Sequence, residues 1–187
     1  MYWLWLPRAT DLFDGRTKRV LHVGPNGPEY MISRLLQRVP SLEYVGADLD
    51  SRRAPVRMDI RSIDYPDDFF DVILCSHVLE HVDEDRKAIA EFFRILDPGG
   101  WAILQVPITA ENTVEDTSVS DPEERARRFG QFDHVRRYGK DYKDRLEEVG
   151  FVVEMLPGSQ IFSREELAGS ELLADEDRGI WFARKLR

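Results

Sequence analysis

The stretch Asp71-Val-Ile-Leu-Cys-Ser-His-Val-Leu-Glu-His81 decides the fold of this chain. It begins as an apolar strand that ends in small and polar residues, and a stretch with helical spacing then runs to Asp97-Pro-Gly-Gly-Trp101. A second apolar strand, residues 101–106, follows. Two strands joined through a helix in one sheet nearly always form a right-handed parallel crossover. Because ligands of such sheets bind beyond the carboxyl ends of the strands, Ser76 and His77 are predicted to face a binding site.

The rest of the chain continues this alternation of strands and helices. Apolar runs predict further strands at residues 18–23, 42–47, 55–60, 151–155 and 180–184, and helical spacing predicts helices between them. Pro28 is expected at the first position of one helix, and Gly99-Gly100 are expected to end another. The pattern indicates an α/β fold with a doubly wound, mostly parallel seven-stranded sheet and helices on both faces.

We interpret the 187 residues as a single domain, because this length suits one sizeable core. A short N-terminal segment, residues 1–16, precedes the first strand. Its Trp3 and Trp5 are expected to pack on the domain, cover a pocket or cover a dimer interface. Residues 109–133 form a polar insertion in which Asp121 and Pro122 indicate a helix start. This insertion is either a lid or substrate-recognition element, or a disordered excursion.

The composition indicates which kinds of partner and which cellular compartment to expect. Twenty-six basic against thirty-five acidic residues give a net charge of −9, which argues against a nucleic-acid groove. The arginines between positions 125 and 137 form either a local basic strip or a solvated helix face. The single cysteine, Cys75, lies in an apolar run and is expected to be buried and inert. The lack of a disulfide framework predicts a cytoplasmic protein, and the apolar start is too short for a membrane span. The oligomer is expected to be a monomer or a homodimer.

The fourth and fifth strands match the motifs of a known family. Residues 71–82 follow the pattern D-V-I-x-x-x-x-V-L-E-H-V, and residues 96–100 follow L-x-P-G-G. From Arg19 to Phe151 the chain resembles the class I methyltransferases that use S-adenosylmethionine, in the methyltransferase type 11 (UbiE-like) subgroup. The resemblance implies that cofactor, methyl transfer and an antiparallel last strand. The acidic charge favours a small-molecule acceptor.

Two features of the sequence suit this cofactor. The turn Gly24-Pro-Asn-Gly27 leads into a helix, whose free N–H groups and positive dipole end would bind the cofactor's carboxylate, although a plain turn is the alternative. Asp48 ends the second strand 24 residues after Gly24, where an acid accepts hydrogen bonds from ribose hydroxyls. Asp50 is the second candidate for that role.

The family resemblance extends the site and also marks departures from the usual pattern. It implies that Asp59 meets the adenine amino group and that Leu49 and Ile60 cover the ring. His22 stands where the family has an acid, and Asn26 and Pro28 stand where it has glycines; Glu29 could compensate for the missing acid. The predicted cofactor-binding residues are His22, Gly24, Asn26, Gly27, Asp48, Leu49, Asp59, Ile60, Ser76 and His77.

The remaining histidines suggest catalytic chemistry. His77-Val-Leu-Glu-His81 satisfies the inverted zinc-protease motif H-x-x-E-H, but its position directly after a strand disfavours that interpretation, and no metal site is predicted. His81 is expected to orient its loop by a hydrogen bond. His134 is the candidate catalytic base for a hydroxyl acceptor, or else an anchor for the lid. Nearby Arg136 is a candidate to hold an acidic substrate group, and with Tyr138 it resembles a segment of the subgroup.

Two other functions remain open. A catalytically silent binding or scaffold module would explain His22 and Pro28 in the first motif. A nicotinamide-dependent oxidoreductase is disfavoured, because no G-x-G-x-x-G follows the first strand. The favoured hypothesis is methyl transfer from S-adenosylmethionine to a small-molecule acceptor.

Overall fold

A central sheet organises the computed structural model, which describes residues 2–27, 29–50, 52, 54–157 and 179–187. Pro28 and the side chain of Trp3 lie outside the described part. The described strands are β1 (Lys18–Val23), β2 (Leu42–Asp48), β3 (Val56–Arg57), β4 (Phe70–Ser76), β5 (Leu96–Gln105), β6 (Ile108–Ala110), β7 (Val114–Glu115), β8 (Arg136–Gly139), β9 (Val152–Pro157) and β10 (Gly179–Arg184). The described helices are α1 (Tyr2–Ala9), α2 (Glu29–Leu36), α3 (Asp85–Ile95), α4 (Pro122–Phe129) and α5 (Tyr142–Glu147). A short 3-10 helix, Leu79–His81, follows β4.

Seven of these strands form one sheet in the order β3-β2-β1-β4-β5-β10-β9. Within the part of the sheet that runs β3-β2-β1-β4-β5, each strand is parallel to the next. β10, in contrast, runs antiparallel to both β5 and β9. The predicted doubly wound sheet with an antiparallel last strand is therefore confirmed. The strand order reverses between β1 and β4, and ligands of open α/β sheets bind beyond the strand ends at such a point.

The core lies on both faces of the sheet. On one face α3 and α5 cover the central strands with buried side chains such as Phe92 and Leu146. On the other face lie α1 and α2, together with Leu12 of the N-terminal segment. Trp5 packs edge-on against Phe182 of β10, with ring centroids 5.4 Å apart, so this tryptophan joins the core. Cys75 is also buried, and burial raises the pKa of its thiol.

One local prediction was wrong. Gly99-Gly100 do not end a helix, because α3 ends at Ile95 and the glycines lie inside β5. Pro98 disfavours helical backbone at the residue before it, which explains the early stop. In α2, Ile32 and Leu36 are buried, whereas Met31 is 64% exposed. This short helix also turns Ser33 inward, where its hydroxyl accepts a hydrogen bond from Tyr44.

The polar insertion, residues 109–133, contains regular structure. The strands β6 and β7 flank β8 in a small second sheet, and α4 begins at the predicted cap, where Asp121 accepts a hydrogen bond from the Glu124 amide. Arg145 of α5 joins the insertion to the domain, because its guanidinium donates to Glu115 of β7 and to Asp85 of α3, each at 2.8 Å.

The longest described helix, α3, has 11 residues, and no described helix combines the length and apolar character of a membrane span.

Candidate functional site

A cleft of about 830 Å³ opens at the carboxyl ends of β1, β2 and β4, where the strand order reverses. Clefts that bind small molecules and cofactors typically have volumes of roughly 300–1,000 Å³. The structure brings nine of the ten predicted cofactor residues into its wall: Gly24, Asn26, Gly27, Asp48, Leu49, Asp59, Ile60, Ser76 and His77.

The turn after β1 forms one wall of the cleft. Its glycines, Gly24 and Gly27, have φ angles of +63° and +56°, which residues with a side chain rarely adopt. The amide of Gly24 donates to the carbonyl of Ala47 at 2.8 Å, which ties the turn to β2. A Cβ on Gly24 would lie 2.8 Å from a methyl group of Val78, so this turn needs glycine.

Asp48 joins that turn to the end of β2. One carboxylate oxygen accepts from the side-chain amide of Asn26 at 2.7 Å, and the other accepts from the backbone amide of Asp50 at 2.8 Å. A carboxylate has about four acceptor positions, so Asp48 keeps capacity for a ligand. Asp50 instead pairs with Arg52 at 2.6 Å and is not part of the cleft wall, so the geometry favours Asp48 over Asp50.

The third strand supplies a second acid. β3 ends at Arg57 rather than at the predicted residue 60, and Asp59 follows it in the cleft wall. The guanidinium of Arg61 donates to the Asp59 carboxylate at 2.8 and 3.0 Å, and this hydrogen bonding lowers the pKa of Asp59. Sequence reasoning missed Arg61, although its spacing of two residues from Asp59 is a signal for this pairing. Ile60 is buried, whereas Leu49 is exposed at the rim.

His22 is the predicted cofactor residue that does not line the cleft. Its side chain is fully buried, and its Nδ1 lies 3.0 Å from the hydroxyl of Tyr44. Its Nε2 lies 3.6 Å from the carboxylate of Glu29, which does line the cleft. β1 turns this ring toward Tyr44 and away from the cleft wall, so the predicted role of His22 in cofactor binding stays a prediction. A carboxylate is nevertheless present beside this position, but it belongs to a residue of α2 instead of β1.

The loop after β4 does not have the geometry of an inverted zinc protease. His77 has a left-handed backbone with φ +53° and precedes a 3-10 helix, so His77 and His81 do not share a continuous α-helix. Nδ1 of His77 lies 3.3 Å from the carboxylate of buried Glu80, and this contact raises the pKa of His77.

His134, the predicted catalytic base, lies behind the cleft wall. Its ring packs edge-on against the ring of His81, with centroids 4.7 Å apart, and His81 is the residue that lines the cleft. Nδ1 of His134 lies 3.2 Å from the carbonyl oxygen of Phe129. Nδ1 of His81 lies 3.3 Å from the carboxylate of Asp133, in line with its predicted orienting role.

Arg136 does not hold a substrate group, contrary to the prediction. Its side chain is 1% exposed, and its guanidinium donates to the carbonyls of Leu79, Val82 and Asp83. These bonds hold the loop after β4 in place, so Arg136 acts as a positioning residue. Tyr138 is also buried, and its hydroxyl donates to Asp85 at 2.6 Å. Burial raises the pKa of Tyr138.

Comparison with known proteins relates this chain to one family. A family model described as "Methyltransferase domain" matches residues 4–169. The chain is 29% identical over 120 residues to a demethylmenaquinone methyltransferase of Thermus thermophilus, covering 55% of this chain and 54% of that protein. It is 32% identical over 116 residues to an uncharacterized methyltransferase of Mycobacterium sp. (strain KMS), covering 56% and 44%. The chain spans about half the length of the curated relatives it matches.

Solved structures share the fold. An S-adenosylmethionine-dependent methyltransferase from Mesorhizobium loti superimposes with a TM-score of 0.64 at 16% identity, covering 98% of this chain and 97% of that one. Phosphoethanolamine N-methyltransferase 2 of Haemonchus contortus, solved in complex with S-adenosyl-L-methionine, gives a TM-score of 0.56 at 16% identity, covering 92% and 49%.

Proposed function

This chain belongs to the methyltransferase domain family, and on that premise we propose that it binds S-adenosylmethionine in the cleft and transfers the methyl group to a small-molecule acceptor. The observation that carries this proposal is the link between the glycine turn after β1 and Asp48, made through Asn26. A tight turn that admits no Cβ at Gly24 lies beside an acid at the next strand end, and this combination suits a ligand with a zwitterionic end and a ribose.

Each part of the cofactor has a matching group in the wall. The turn from Gly24 to Gly27 would hold the carboxylate, and Glu29 would pair with the ammonium in place of the family's acid. Asp48 would accept hydrogen bonds from the ribose hydroxyls. Asp59 would meet the adenine amino group. Leu49 and Ile60 would cover the faces of the ring.

The bound cofactor supplies an electrophilic methyl group on sulfur, so the chain's task is chiefly to align the acceptor with that methyl. Residues 109–133 are our candidate for the segment that contacts the acceptor. A relative named demethylmenaquinone methyltransferase supports a quinone-like small molecule. The net charge of −9 supports the same class over nucleic acid. We do not assign His134 as the catalytic base, because its ring lies behind His81.

A second candidate is a binding module that has lost catalysis. The observation in its favour is His22, a buried imidazole at the position where the family has an acid. Under this alternative the Glu29 carboxylate, 3.6 Å from His22, does not replace the missing acid.

Calorimetric titration of the full chain with S-adenosylhomocysteine, beside NADH, tests the cofactor assignment. We expect S-adenosylhomocysteine to bind with a micromolar dissociation constant and NADH not to bind. The affinity for S-adenosylhomocysteine should fall tenfold or more in Glu29→Gln, since hydrogen bonds to charged groups contribute about 1.5–3 kcal/mol. No binding of S-adenosylhomocysteine at millimolar concentration would refute the proposal. The silent module would be supported if the chain binds S-adenosylhomocysteine but forms none of it from S-adenosylmethionine with any of a panel of quinone precursors.

A further inference from the structure

Three side chains that can bind a metal ion lie together at the edge of the cleft. They are Glu80 and His81, from the 3-10 helix after β4, and His134, which precedes β8. One potential ligand atom of each lies within 4.8 Å of the others. The methyl-transfer proposal makes no use of this cluster, except that His81 also lines the cleft.

Both histidines have the surroundings of metal ligands. A ligating histidine generally uses its second ring nitrogen to bind a carboxylate or a backbone carbonyl, which fixes the ring orientation and the tautomer. Here Nδ1 of His81 lies 3.3 Å from the carboxylate of Asp133, and Nδ1 of His134 lies 3.2 Å from the carbonyl of Phe129. The Nε2 atoms of the two rings are therefore the ones left to meet a cation.

Glu80 gives an independent indication of a missing ligand. Its side chain is 1% exposed, and one of its oxygens lies 3.3 Å from Nδ1 of His77. The other oxygen is buried and has no hydrogen-bond partner within the described ranges. Burying a carboxylate oxygen without a partner costs free energy, and such atoms are rare in native proteins. A cation bound by Glu80, His81 and His134 would remove that cost.

We propose that Glu80, His81 and His134 bind a divalent cation of the zinc class. Two imidazoles and one carboxylate are a known ligand set for zinc with one position left open, and imidazole favours such metals over Mg²⁺. Ligands in a tetrahedral zinc site lie about 3.4 Å apart, so binding would draw the three ligand atoms together by up to about 1.4 Å. His77 is not a ligand, which separates this site from the inverted protease motif.

Because His81 lines the cleft, an open position on the cation would be available to an acceptor oxygen and would favour its ionised form. That use of the cation rests on the proposed function, whereas the site itself does not.

The test is metal binding to the untagged, chelator-treated full chain without any cofactor. We expect one equivalent of Zn²⁺ to bind with a dissociation constant below about 1 μM, no binding of Mg²⁺, and a Co²⁺ complex with the visible absorption of a four- or five-coordinate site. His134→Gln should weaken Zn²⁺ binding by at least about tenfold. His77→Gln, which removes a histidine that contacts Glu80 but is outside the cluster, should keep one equivalent bound.

Failure of the wild-type chain to bind Zn²⁺ would overturn the proposal, as would equal Zn²⁺ affinity in wild type and His134→Gln. Loss of binding in His77→Gln alone would also overturn it. Circular dichroism shows whether each variant is folded, and the Co²⁺ spectrum of the wild type tests the site without any variant. Titration of the same samples with S-adenosylhomocysteine reports separately on the cofactor cleft, so failure of one proposal is distinguishable from failure of the other.

Discussion

Replacement of Asp48 by asparagine should sharply weaken binding of S-adenosylhomocysteine. The substitution keeps the size of the side chain and removes its charge and one acceptor oxygen. It also disturbs one of the two bonds that Asp48 accepts, from the Asn26 side chain at 2.7 Å or from the Asp50 amide at 2.8 Å, because the new amide replaces one acceptor oxygen with a donor. Either loss weakens the local network that holds this side chain at the end of β2.

The expected size of the effect follows from these contacts. Hydrogen bonds to an ionised group contribute about 1.5–3 kcal/mol, against about 1 kcal/mol for neutral pairs. Weakening two ribose bonds in this way removes about 2–3 kcal/mol of binding free energy. The dissociation constant should therefore rise roughly 30- to 150-fold.

Isothermal titration calorimetry of the wild type and the variant measures this change directly. Asp50→Asn is the matched control, because Asp50 lies two residues away and pairs with Arg52 outside the cleft wall. It should bind within about threefold of the wild type, since no charged ligand contact is removed. A change of less than threefold in Asp48→Asn, or an equal loss in Asp50→Asn, would refute the assignment of the ribose acid.

Further predictions concern the turn, the core and pH. Gly24→Ala should abolish binding of S-adenosylhomocysteine in calorimetry while circular dichroism stays native, because a Cβ there meets a valine methyl at 2.8 Å and φ is +63°; retained affinity would contradict the tight turn. Tyr142→Phe should lower Tm by roughly 4–8 °C, because a fully buried hydroxyl donates to the Leu104 carbonyl and its loss costs about 2 kcal/mol; an unchanged Tm would show that the bond contributes nothing. Hydrogen bonding from Arg145 lowers the pKa of Glu115 to about 2, so this carboxylate stabilises the fold above its unfolded pKa near 4.5 and the contribution is lost as pH falls toward 2. Urea midpoints of wild type and Glu115→Gln should accordingly differ at pH 6, begin to converge as pH falls below 4.5, and meet only near pH 2; a constant difference would exclude this linkage.

The strands of the sheet and one edge of the site were predictable because their causes are local. The observed bounds of β1, Lys18–Val23, are those predicted, since a short apolar run between turn residues identifies a buried strand. Asp121 and Pro122 identified the start of α4 because capping uses atoms only a few residues apart. Asp48 and Asp59 could be assigned to one cleft, since the carboxyl ends of parallel strands meet at the same edge of a sheet.

The sequence by itself thus determined the α/β class, the sheet edge that bears the cleft and half of the residues in its wall. The tertiary structure alone decided the direction of His22, the burial of Arg136 and the meeting of His134 with His81. A central strand has apolar neighbours on both faces, so periodicity does not reveal which way a polar side chain such as His22 turns. Contacts between residues far apart in the chain depend on which surfaces pack together, and no local pattern records that choice.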